Sequence, residues 1–409
     1  MTHKITIKRR EFLAGTAVTV AIAGAPAIAR GQGAAIKIGE INSYTAVPAF
    51  LNPYRQGWNM ALDEVNAAGG LNGRKLETVF RDDGGKPEEA VRHASELLNA
   101  EKVDLLAGGF LSNIGLAIAG QAKQAKRLYV ASEPLSDAVV WSQGNRYTFR
   151  LRPSTYMQAA MLVEEASKLP AMRWATVSPN YEYGQSAVRW FKELLSRKKP
   201  GVQFVTEQFP ALGRIDAGAT VQAVAAANPE AIFNVTFGAD LTNFVRQGNT
   251  RGLFERRAVV SMLTGEPEYL DPLKDEAPEG WIVTGYPWDQ INTPGHTKFR
   301  DDYRKKFNDY PRLGSVVGYD TVNAIINMLR KSQSTDTEKM VDAMEGLKFV
   351  SPFGPVEFRK IDHQSTLGAF VGKTTVKGGK GTMANWRYAD GKDYLPSDAE
   401  VREMRPKDA

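Results

Sequence analysis

Ile36-Lys37-Ile38-Gly39-Glu40-Ile41 is a mostly apolar run of strand length, and a segment of helical period follows it. In that segment the apolar side chains fall on one stripe, as is typical of an amphipathic helix: Tyr54, Trp58, Ala61, Leu62 and Val65. Gly69-Gly70 then ends the helix. Similar apolar runs recur at residues 75–80, 103–107, 127–131, 174–178, 202–207, 231–236 and 258–263. This β/α alternation predicts an α/β fold.

The apolar runs also predict how the sheets are built. Ala231-Ile232-Phe233-Asn234-Val235 is almost continuously apolar, as expected of a parallel strand that helices cover on both faces. Parallel strands joined by helices form open twisted sheets, whose ligands bind beyond the carboxyl ends of the strands. Functional residues are therefore expected in the loops that follow the strands.

The series of strands and helices breaks twice, at Phe149-Arg150-Leu151-Arg152-Pro153 and near residues 281–287. A chain of 409 residues also exceeds what one hydrophobic core usually organises. We therefore predict two Rossmann-like lobes with parallel sheets flanked by helices, joined by three crossovers near residues 150, 285 and 354. The predicted lobes are residues 36–151 plus 286–354 and residues 152–285 plus 355–409.

The N-terminus resembles a twin-arginine export leader. Lys8-Arg9-Arg10-Glu11-Phe12-Leu13 precedes an uncharged run that ends in Ala27-Ile28-Ala29. The run is too short and too rich in Ala and Gly for a membrane span. We predict that residues 1–29 are a signal peptide, cleaved after Ala29, and that the mature protein works in the periplasm. The alternative is an uncleaved anchor.

Composition excludes several classes of function. The net charge of +6 falls to +3 when residues 1–29, with four Lys or Arg and one Glu, are removed, which argues against a nucleic-acid partner. The chain has no cysteine, so it has no disulfide and no thiolate site. His93, His296 and His363 lack the spacing of a metal-binding helix face. We therefore expect no metal, no cofactor and no enzymatic activity.

Two loops at strand ends carry polar residues. Asp82-Asp83 could be a carboxylate pair for acid/base chemistry or magnesium, or could fix the turn and cap the helix that begins near Pro87. In Gly108-Gly109-Phe110-Leu111-Ser112-Asn113, the N–H groups of a helix start and the Ser112 hydroxyl could bind a carboxylate. Ser112 could equally be a plain N-cap.

The stretch from Gly57 to Leu76, which includes Glu64-Val65-Asn66-Ala67-Ala68-Gly69-Gly70-Leu71-Asn72-Gly73, resembles the opening motif of the leucine/isoleucine/valine-binding periplasmic proteins. Further matches follow in family order: Asp82-Asp83 with Pro87, Val103 to Gly109, Phe149 to Ser154, Tyr181-Glu182-Tyr183-Gly184, Gly318-Tyr319-Asp320 and Phe353 to Phe358. The resemblance implies a type I periplasmic binding fold and a solute receptor for an ABC importer of hydrophobic amino acids and amides. Such a receptor holds one small ligand between its lobes, uses no cofactor and delivers the ligand to an inner-membrane permease; we expect a monomer.

The resemblance also implies binding residues on the first lobe. Ser112 matches a serine that holds the ligand carboxylate in amino-acid-binding relatives, and Asn113 would present its backbone beside it. Tyr44 or Phe50 should lie on the rim of the first lobe.

On the second lobe the resemblance implies two aromatic contacts. Tyr183 matches a tyrosine that closes over the ligand, although it could instead pack beside Gly184 in a turn. Phe237 stands where relatives place an aromatic wall, and core burial is the alternative.

Two departures from the family pattern leave the ligand open. Relatives that bind an α-amino acid have a small residue and a threonine after the fourth strand, where this chain has Ser132-Glu133-Pro134 and then Leu135. The carboxylate that meets the ligand's ammonium group matches Leu263 most directly, with Glu266 as a candidate nearby. Ser132 stays a candidate, and Glu133 could replace the missing acceptor or face solvent. Aromatic acids and amides therefore compete with amino acids as ligands.

Two other functions stay open at this point. An exported enzyme would have to use carboxylates such as Asp82, Asp83 and Glu133. A receptor that feeds a sensory system instead of a transporter is the other alternative.

Overall fold

The computed structural model describes residues 1–2 and 33–406, so the predicted leader and its cleavage site lie outside the described residues, apart from the first two. The strands are β1 (Ile36–Asn42), β2 (Leu76–Asp82), β3 (Leu105–Gly108), β4 (Tyr129–Ala131), β5 (Thr148–Arg150), β6 (Arg173–Val177), β7 (Gln203–Gln208), β8 (Ala231–Asn234), β9 (Ala258–Gly265), β10 (Ile282–Gly285), β11 (Lys348–Ser351), β12 (Gly354–Glu357), β13 (Ala369–Lys377) and β14 (Lys380–Ala389). Every strand predicted from the apolar runs is present.

The helices are α1 (Pro48–Ala67), α2 (Pro87–Asn99), α3 (Ser112–Ala125), α4 (Thr155–Ala166), α5 (Glu182–Lys198), α6 (Ala217–Ala226), α7 (Gly238–Thr250), α8 (Pro267–Leu270), α9 (Pro294–Phe307), α10 (Leu313–Ser332), α11 (Thr337–Met344) and α12 (Asp398–Met404). The helices between successive parallel strands are the ones that the β/α alternation requires. The α/β fold class is confirmed.

The strands form two large sheets. The first has the order β2-β1-β3-β4-β5, and all its neighbours are parallel. The second has the order β14-β13-β10-β9-β8-β6-β7. Its strands β6 to β10 are parallel, but β13 pairs antiparallel with both β10 and β14. The predicted parallel type therefore holds for most of this sheet, and the antiparallel edge arises because the turn Gly378-Gly379, with both φ angles positive, joins β13 directly to β14 as a hairpin.

The chain passes between the two sheets in neighbouring segments. Residues 151–154 lead from β5 into α4, whose start is capped by the Ser154 hydroxyl accepting from the Met157 N–H at 3.0 Å. The segment after β12 returns beside this passage, with the Arg150 N–H donating to the His363 carbonyl at 3.0 Å and the Ser365 N–H donating to the Arg150 carbonyl at 3.0 Å. Two of the crossing segments therefore share backbone hydrogen bonds.

Asp82 and Asp83 fix the turn after β2. Asp82 accepts from the Gly84 N–H at 3.0 Å, and Asp83 accepts from the Gly85 N–H at 2.8 Å and from the Ser43 hydroxyl at 2.6 Å. The N-cap of α2 is Lys86, which makes no side-chain cap. The local bonds were expected, whereas the expected capping of α2 by these aspartates is wrong because the helix begins too far beyond them.

Helices α1 and α10 cross at very short distance, and glycines make this possible. A Cβ atom placed on Gly57 would lie 1.8 Å from the Ser315 carbonyl oxygen. On α10, a Cβ on Gly318 would lie 2.0 Å from the Tyr54 carbonyl oxygen, and one on Gly314 would lie 2.3 Å from that of Phe50. Backbone atoms at a helix crossing cannot move aside as a flexible side chain can, so each of these positions requires a glycine.

We expect Gly318→Ala to destabilise the protein by about 1–3 kcal/mol or more, because the added methyl group overlaps the backbone of α1. The matched control is Gly120→Ala in α3, where a Cβ meets no atom within 4 Å. The control should gain roughly 0.5–1 kcal/mol from helix propensity alone. Urea denaturation of the mature protein measures both; equal stability of the two variants would contradict the proposed close crossing.

Candidate functional site

A cleft opens between the carboxyl ends of the strands of the two sheets. Its cavity volume is only about 10 Å³, so the walls lie nearly in contact in this arrangement. The first sheet contributes side chains from the loops after β3 and β4, and the second sheet contributes side chains that follow β6 and β8 or lie within β9. The lining residues are Phe110, Ser112, Glu133, Leu135, Tyr181, Tyr183, Phe237 and Leu263. The cleft thus lies where open α/β sheets usually bind ligands.

Aromatic rings meet across this cleft. Phe110, from the first sheet, has its ring centroid 6.1 Å from that of Phe237, from the second. Phe237 also lies 5.9 Å from Tyr183 and 6.1 Å from Tyr269, measured between ring centroids. These rings are nearly or fully buried, so the two halves are closed on each other and a guest molecule would be held between apolar walls.

The loop after β3 brings α3 to the cleft through two glycines. Gly108 and Gly109 have φ angles of 105° and 81°, which other residues rarely adopt. A Cβ on Gly108 would also lie 2.3 Å from the Ile41 carbonyl oxygen. The sharp turn allows Phe110 and the start of α3 to face the second sheet.

Ser112 is the first residue of α3, and it is not the N-cap. The N-cap is Leu111, which makes no side-chain cap, so the alternative role of Ser112 as a plain N-cap is wrong. The Ser112 hydroxyl is buried and accepts from the Ser136 N–H at 3.1 Å, which leaves its own proton free to donate. Asn113 follows on the same turn, and its buried side-chain oxygen has no hydrogen-bond partner. The first N–H groups of a helix lack partners within the helix, so this wall of the cleft offers donors to an anion.

Tyr183 lines the opposite wall. It is the second residue of α5, it is buried, and its hydroxyl group has no hydrogen-bond partner. A buried hydroxyl without a partner costs free energy, which a bound ligand could recover. The ring therefore belongs to the cleft and not to a packed turn beside Gly184.

Arg152 connects the two sides of the cleft. Its Nη1 donates to Glu133 Oε1 at 2.8 Å, and its Nη2 donates to Glu266 Oε1 at 3.0 Å. Arg152 and Glu133 are each 3% exposed and Glu266 is 1% exposed. Glu133 follows β4 of the first sheet and Glu266 follows β9 of the second, so the guanidinium bridges the halves.

Burial changes the protonation of these carboxyl groups. It raises the pKa of Glu133 from 4.5 to about 8, although Arg152 acts in the opposite direction. Burial also raises the pKa of Glu266 and of its neighbour Glu268. The second oxygen of each of these three carboxyl groups is buried without a hydrogen-bond partner.

The two positions where this chain departs from the family pattern both lie in the cleft. Leu135 and Leu263 stand among the lining residues. Leu263 has a φ angle of 69°, a conformation that a leucine rarely adopts, and its N–H donates to Thr284 Oγ1 at 2.9 Å. Neither side chain can form a hydrogen bond, so these positions can only contact apolar parts of a ligand.

Five of the nine sequence-predicted site residues are not among the lining residues. Asn113 lies next to Ser112 on α3 and Glu266 is bonded to Arg152, while the other three are Tyr44, Phe50 and Ser132. The Tyr44 hydroxyl donates to Glu40 at 2.8 Å, and Phe50 is fully buried behind Phe110, with ring centroids 5.1 Å apart. Ser132 is fully buried, and its hydroxyl bonds with those of Tyr54 at 2.9 Å and Thr321 at 3.1 Å. The expected places of Phe50 on the rim and of Ser132 in contact with the ligand are therefore corrected, because both are buried inside the first half. Tyr44 is only partly buried, in the loop after β1, and is not among the lining residues.

Polar contacts on both sides of the cleft join the halves. On one side Asp137 accepts from Arg189 of α5 at 3.0 Å, and the Ser136 hydroxyl donates to Glu182 at 2.6 Å. On the other side Asp271 accepts from Arg312 at 3.0 Å and from the Tyr310 hydroxyl at 2.7 Å. These contacts hold the closed arrangement from its edges.

Sequence reasoning missed several cleft residues. Phe110, Tyr181 and Arg152 lie in stretches that were singled out as motifs, yet only their neighbours were assigned to the site. For Arg152 the usable signal was a charged residue between a strand end and Pro153, where the chain enters a crossover.

In the part of the chain that the structure describes, no group of His, Cys, Asp or Glu has the arrangement of a metal site. Within that same part, no helix combines the length and apolar character that spanning a membrane requires.

Comparison with known proteins identifies the family. A family model described as periplasmic binding protein matches residues 35–380. The Leu/Ile/Val-binding protein homolog 7 of Brucella abortus is 25% identical over 348 residues, which cover 81% of this chain and 86% of that protein. A solute-binding protein of an ABC transporter from Rhodopseudomonas palustris, solved with 3,4-dihydroxybenzoic acid, superposes with a TM-score of 0.77 at 22% identity, covering 87% of this chain and 98% of that one. A leucine-binding protein from Thermotoga maritima also gives a TM-score of 0.77 at 22% identity, covering 88% and 99%.

These structural likenesses establish the type I periplasmic binding fold. The match of the family model extends from the start of β1 to the start of β14 and so takes in both sheets and the cleft. The chain therefore belongs to the periplasmic binding protein family, the family of its Leu/Ile/Val-binding relatives.

Proposed function

We propose that this chain captures a small organic solute in the periplasm and delivers it to the permease of an ABC importer. Proteins of this family are solute receptors that work in this way. The observation that carries the proposal is the closed cleft between the two sheets, whose buried Tyr183 hydroxyl and Glu133 oxygen lack partners within the protein. A ligand bound in the cleft would supply these buried oxygens with hydrogen-bond partners.

The proposed contacts combine donors, acceptors and an aromatic enclosure. Ser112 and the N–H groups at Asn113 would bind a carboxylate, Tyr183 would close over the ligand, and Phe237 would pack against its apolar part. Glu133 would provide an acceptor, and Glu266 would act through Arg152. The proposed working form is a monomer.

The proposed lobes follow the two sheets. Lobe 1 consists of residues 36–151 plus 286–354, extended to the end of β12 at Glu357, because the hairpin of β11 and β12 pairs Ser351 with Gly354 and cannot be divided there. Lobe 2 consists of residues 152–285 and the chain from 358 onward. Such lobes close by a hinge motion when a ligand makes contacts that exist only in the closed state.

The ligand classes in question are amino acids, amides and aromatic acids. Relatives are named for leucine, isoleucine and valine, and solved neighbours contain hydroxylated benzoic acids. We expect at least one compound of these classes to raise the melting temperature of the mature protein in a dose-dependent manner. At a ligand concentration of 100 Kd the stabilisation should be about 2.7 kcal/mol. Chromatography should recover the compound unchanged; turnover would point to an enzyme, and a panel without any shift would contradict the proposal.

We expect Ser112→Ala to weaken binding of a carboxylate ligand by about 1.5–3 kcal/mol, because a hydrogen bond to a charged group is lost. The control is Ser196→Ala on the exposed face of α5, which should leave affinity unchanged. Calorimetric titration measures affinity, and melting of the ligand-free variants shows that both fold. If the Ser112→Ala variant binds the ligand as tightly as the parent does, the ligand carboxylate does not contact this wall of the cleft.

The proposed export route is the twin-arginine pathway, with cleavage after Ala29. We expect the double substitution Arg9→Lys and Arg10→Lys to leave the precursor in the cytoplasm, because the arginine pair is an address that a receptor reads. Cell fractionation and N-terminal sequencing of the periplasmic form check this, with Lys4→Arg as the control that preserves charge. Normal export of the double variant would indicate a different pathway.

A further inference from the structure

The segment after β14, residues 390–406, extends from the second lobe to the first, and we call it the strap. It lies beyond residue 380, where the match to the family model ends, so the family pattern does not account for it. Its first part packs on lobe 2. Tyr394 and Leu395 contact a buried cluster built by α4, β13 and β14, and the Tyr394 hydroxyl donates to Glu164 of α4 at 2.5 Å. The strap is therefore anchored on lobe 2.

The middle of the strap is the short helix α12, whose start is fixed by a capping box. The Ser397 hydroxyl accepts from the Glu400 N–H at 3.3 Å, and the Ser397 N–H donates to the Glu400 side chain at 2.8 Å. Just before the helix, the Pro396 carbonyl accepts from Arg359, in the segment after β12, at 3.1 Å. Within the helix Val401 is 1% exposed. The helix therefore lies against the protein and holds the residue that follows it in a defined position.

Arg405 follows α12 and binds lobe 1. Its Nη1 donates to the Val140 carbonyl at 2.8 Å, and its Nη2 donates to the Asn145 carbonyl at 3.2 Å. Both carbonyls belong to the loop between β4 and β5 of lobe 1. The guanidinium is partly buried, and a hydrogen bond from a charged donor is roughly twice as strong as a neutral one. Arg405 therefore makes a specific contact between the strap and the other lobe.

The loop that the strap binds is also the part of lobe 1 that packs on two helices of lobe 2. Trp141 of this loop is fully buried, with its ring centroid 5.3 Å from that of Tyr156 in α4 and 6.2 Å from that of Trp190 in α5. The start of the same loop carries Ser136 and Asp137, which bind α5 at the edge of the cleft. The strap therefore holds a loop whose position depends on how the lobes are arranged.

We propose that the strap ties the two lobes together through Arg405 and so favours the closed state over the open state. Because the strap is anchored on lobe 2 and donates to lobe 1, opening must either break the two hydrogen bonds of Arg405 or pull the strap from its anchor. Either change is unfavourable, since buried or partly buried polar groups lose their partners. The inference rests on the proposed hinge motion and adds a device that the ligand does not touch. The strap sets how much of the ligand's binding free energy closure requires.

The experiment measures the distance between the lobes in the ligand-free mature protein. The chain has no cysteine, so Ala49→Cys in the first turn of α1 and Ala211→Cys after β7 provide the only two thiols for spin labels. Both alanines are exposed and lie near the carboxyl ends of strands, one on each lobe. Double electron–electron resonance then gives the distribution of distances between the labels.

We expect Arg405→Ala to lower the ratio of short to long distances by about tenfold, because two hydrogen bonds from a charged donor are lost. The matched control is Arg402→Ala, which removes a positive charge from the exposed face of α12 and should leave the distribution unchanged. A parent protein without a population of short distances, or an Arg405→Ala distribution equal to that of the parent, overturns the proposal. No ligand is needed, so this outcome is independent of whether the protein binds a solute.

Two further variants separate the strap from a general loss of stability. Arg405→Lys keeps the charge and a donor group, so it should restore part of the short distances. Tyr394→Phe weakens the anchor by removing the hydrogen bond to Glu164. It should lower the ratio of short to long distances in the parent but have no further effect in the Arg405→Ala protein, because a strap that is released at one end no longer connects the lobes. Equal effects of Tyr394→Phe in both proteins overturn the proposal, and melting curves show that each variant folds.

Discussion

The buried guanidinium of Arg152 connects the loop after β4 to the loop after β9, and the closed cleft depends on this bridge. Removing one partner of a buried ion pair typically costs about 3–5 kcal/mol, because the remaining charge is left without compensation. The bridge is possible only because Arg152 lies in the first crossing segment, where the Leu151 N–H donates to the Ala131 carbonyl at 2.9 Å and Pro153 turns the chain toward α4. The residue that joins the halves therefore belongs to the segment that links them covalently.

The contacts around this bridge divide into two kinds with different physical roles. Inside the cleft, carboxyl and hydroxyl oxygens lack partners, so closure without a ligand is costly there. At the edges, Asp137 and Asp271 make complete ion pairs and hydrogen bonds between the halves. The edges favour closure while the interior opposes it, so a ligand that supplies the missing partners can decide the balance between open and closed states.

Much of the fold could be predicted from the sequence because the local pattern of apolar residues agrees with the burial of each strand and helix. Buried parallel strands need continuous apolar runs. In α1 the apolar residues that pack against the protein are already visible in the sequence as one stripe. The pattern was less informative where strands are short or exposed on one side. Strand β5 has three residues and coincides with the break in the series, and β13 and β14 are partly exposed along much of their length. Ser112 could be predicted from its place at a helix start after β3, whereas Glu133, Tyr183 and Phe237 were assigned through the family resemblance; all four line the cleft. Phe50 and Ser132 were also assigned to the cleft but are buried inside the first half.

The sequence by itself determined the β/α order, the positions at which the chain leaves each series and the loops that could meet a ligand. These properties follow from residue type and spacing, which act over a few neighbouring positions. Only the tertiary structure decided that Arg152, Glu133 and Glu266 meet, although 114 positions separate Arg152 from Glu266. Whether a charge is buried, and which partners it has, depends on how distant loops are brought together, and no local pattern encodes that geometry. The buried ion pairs of the cleft are therefore a property of the folded chain.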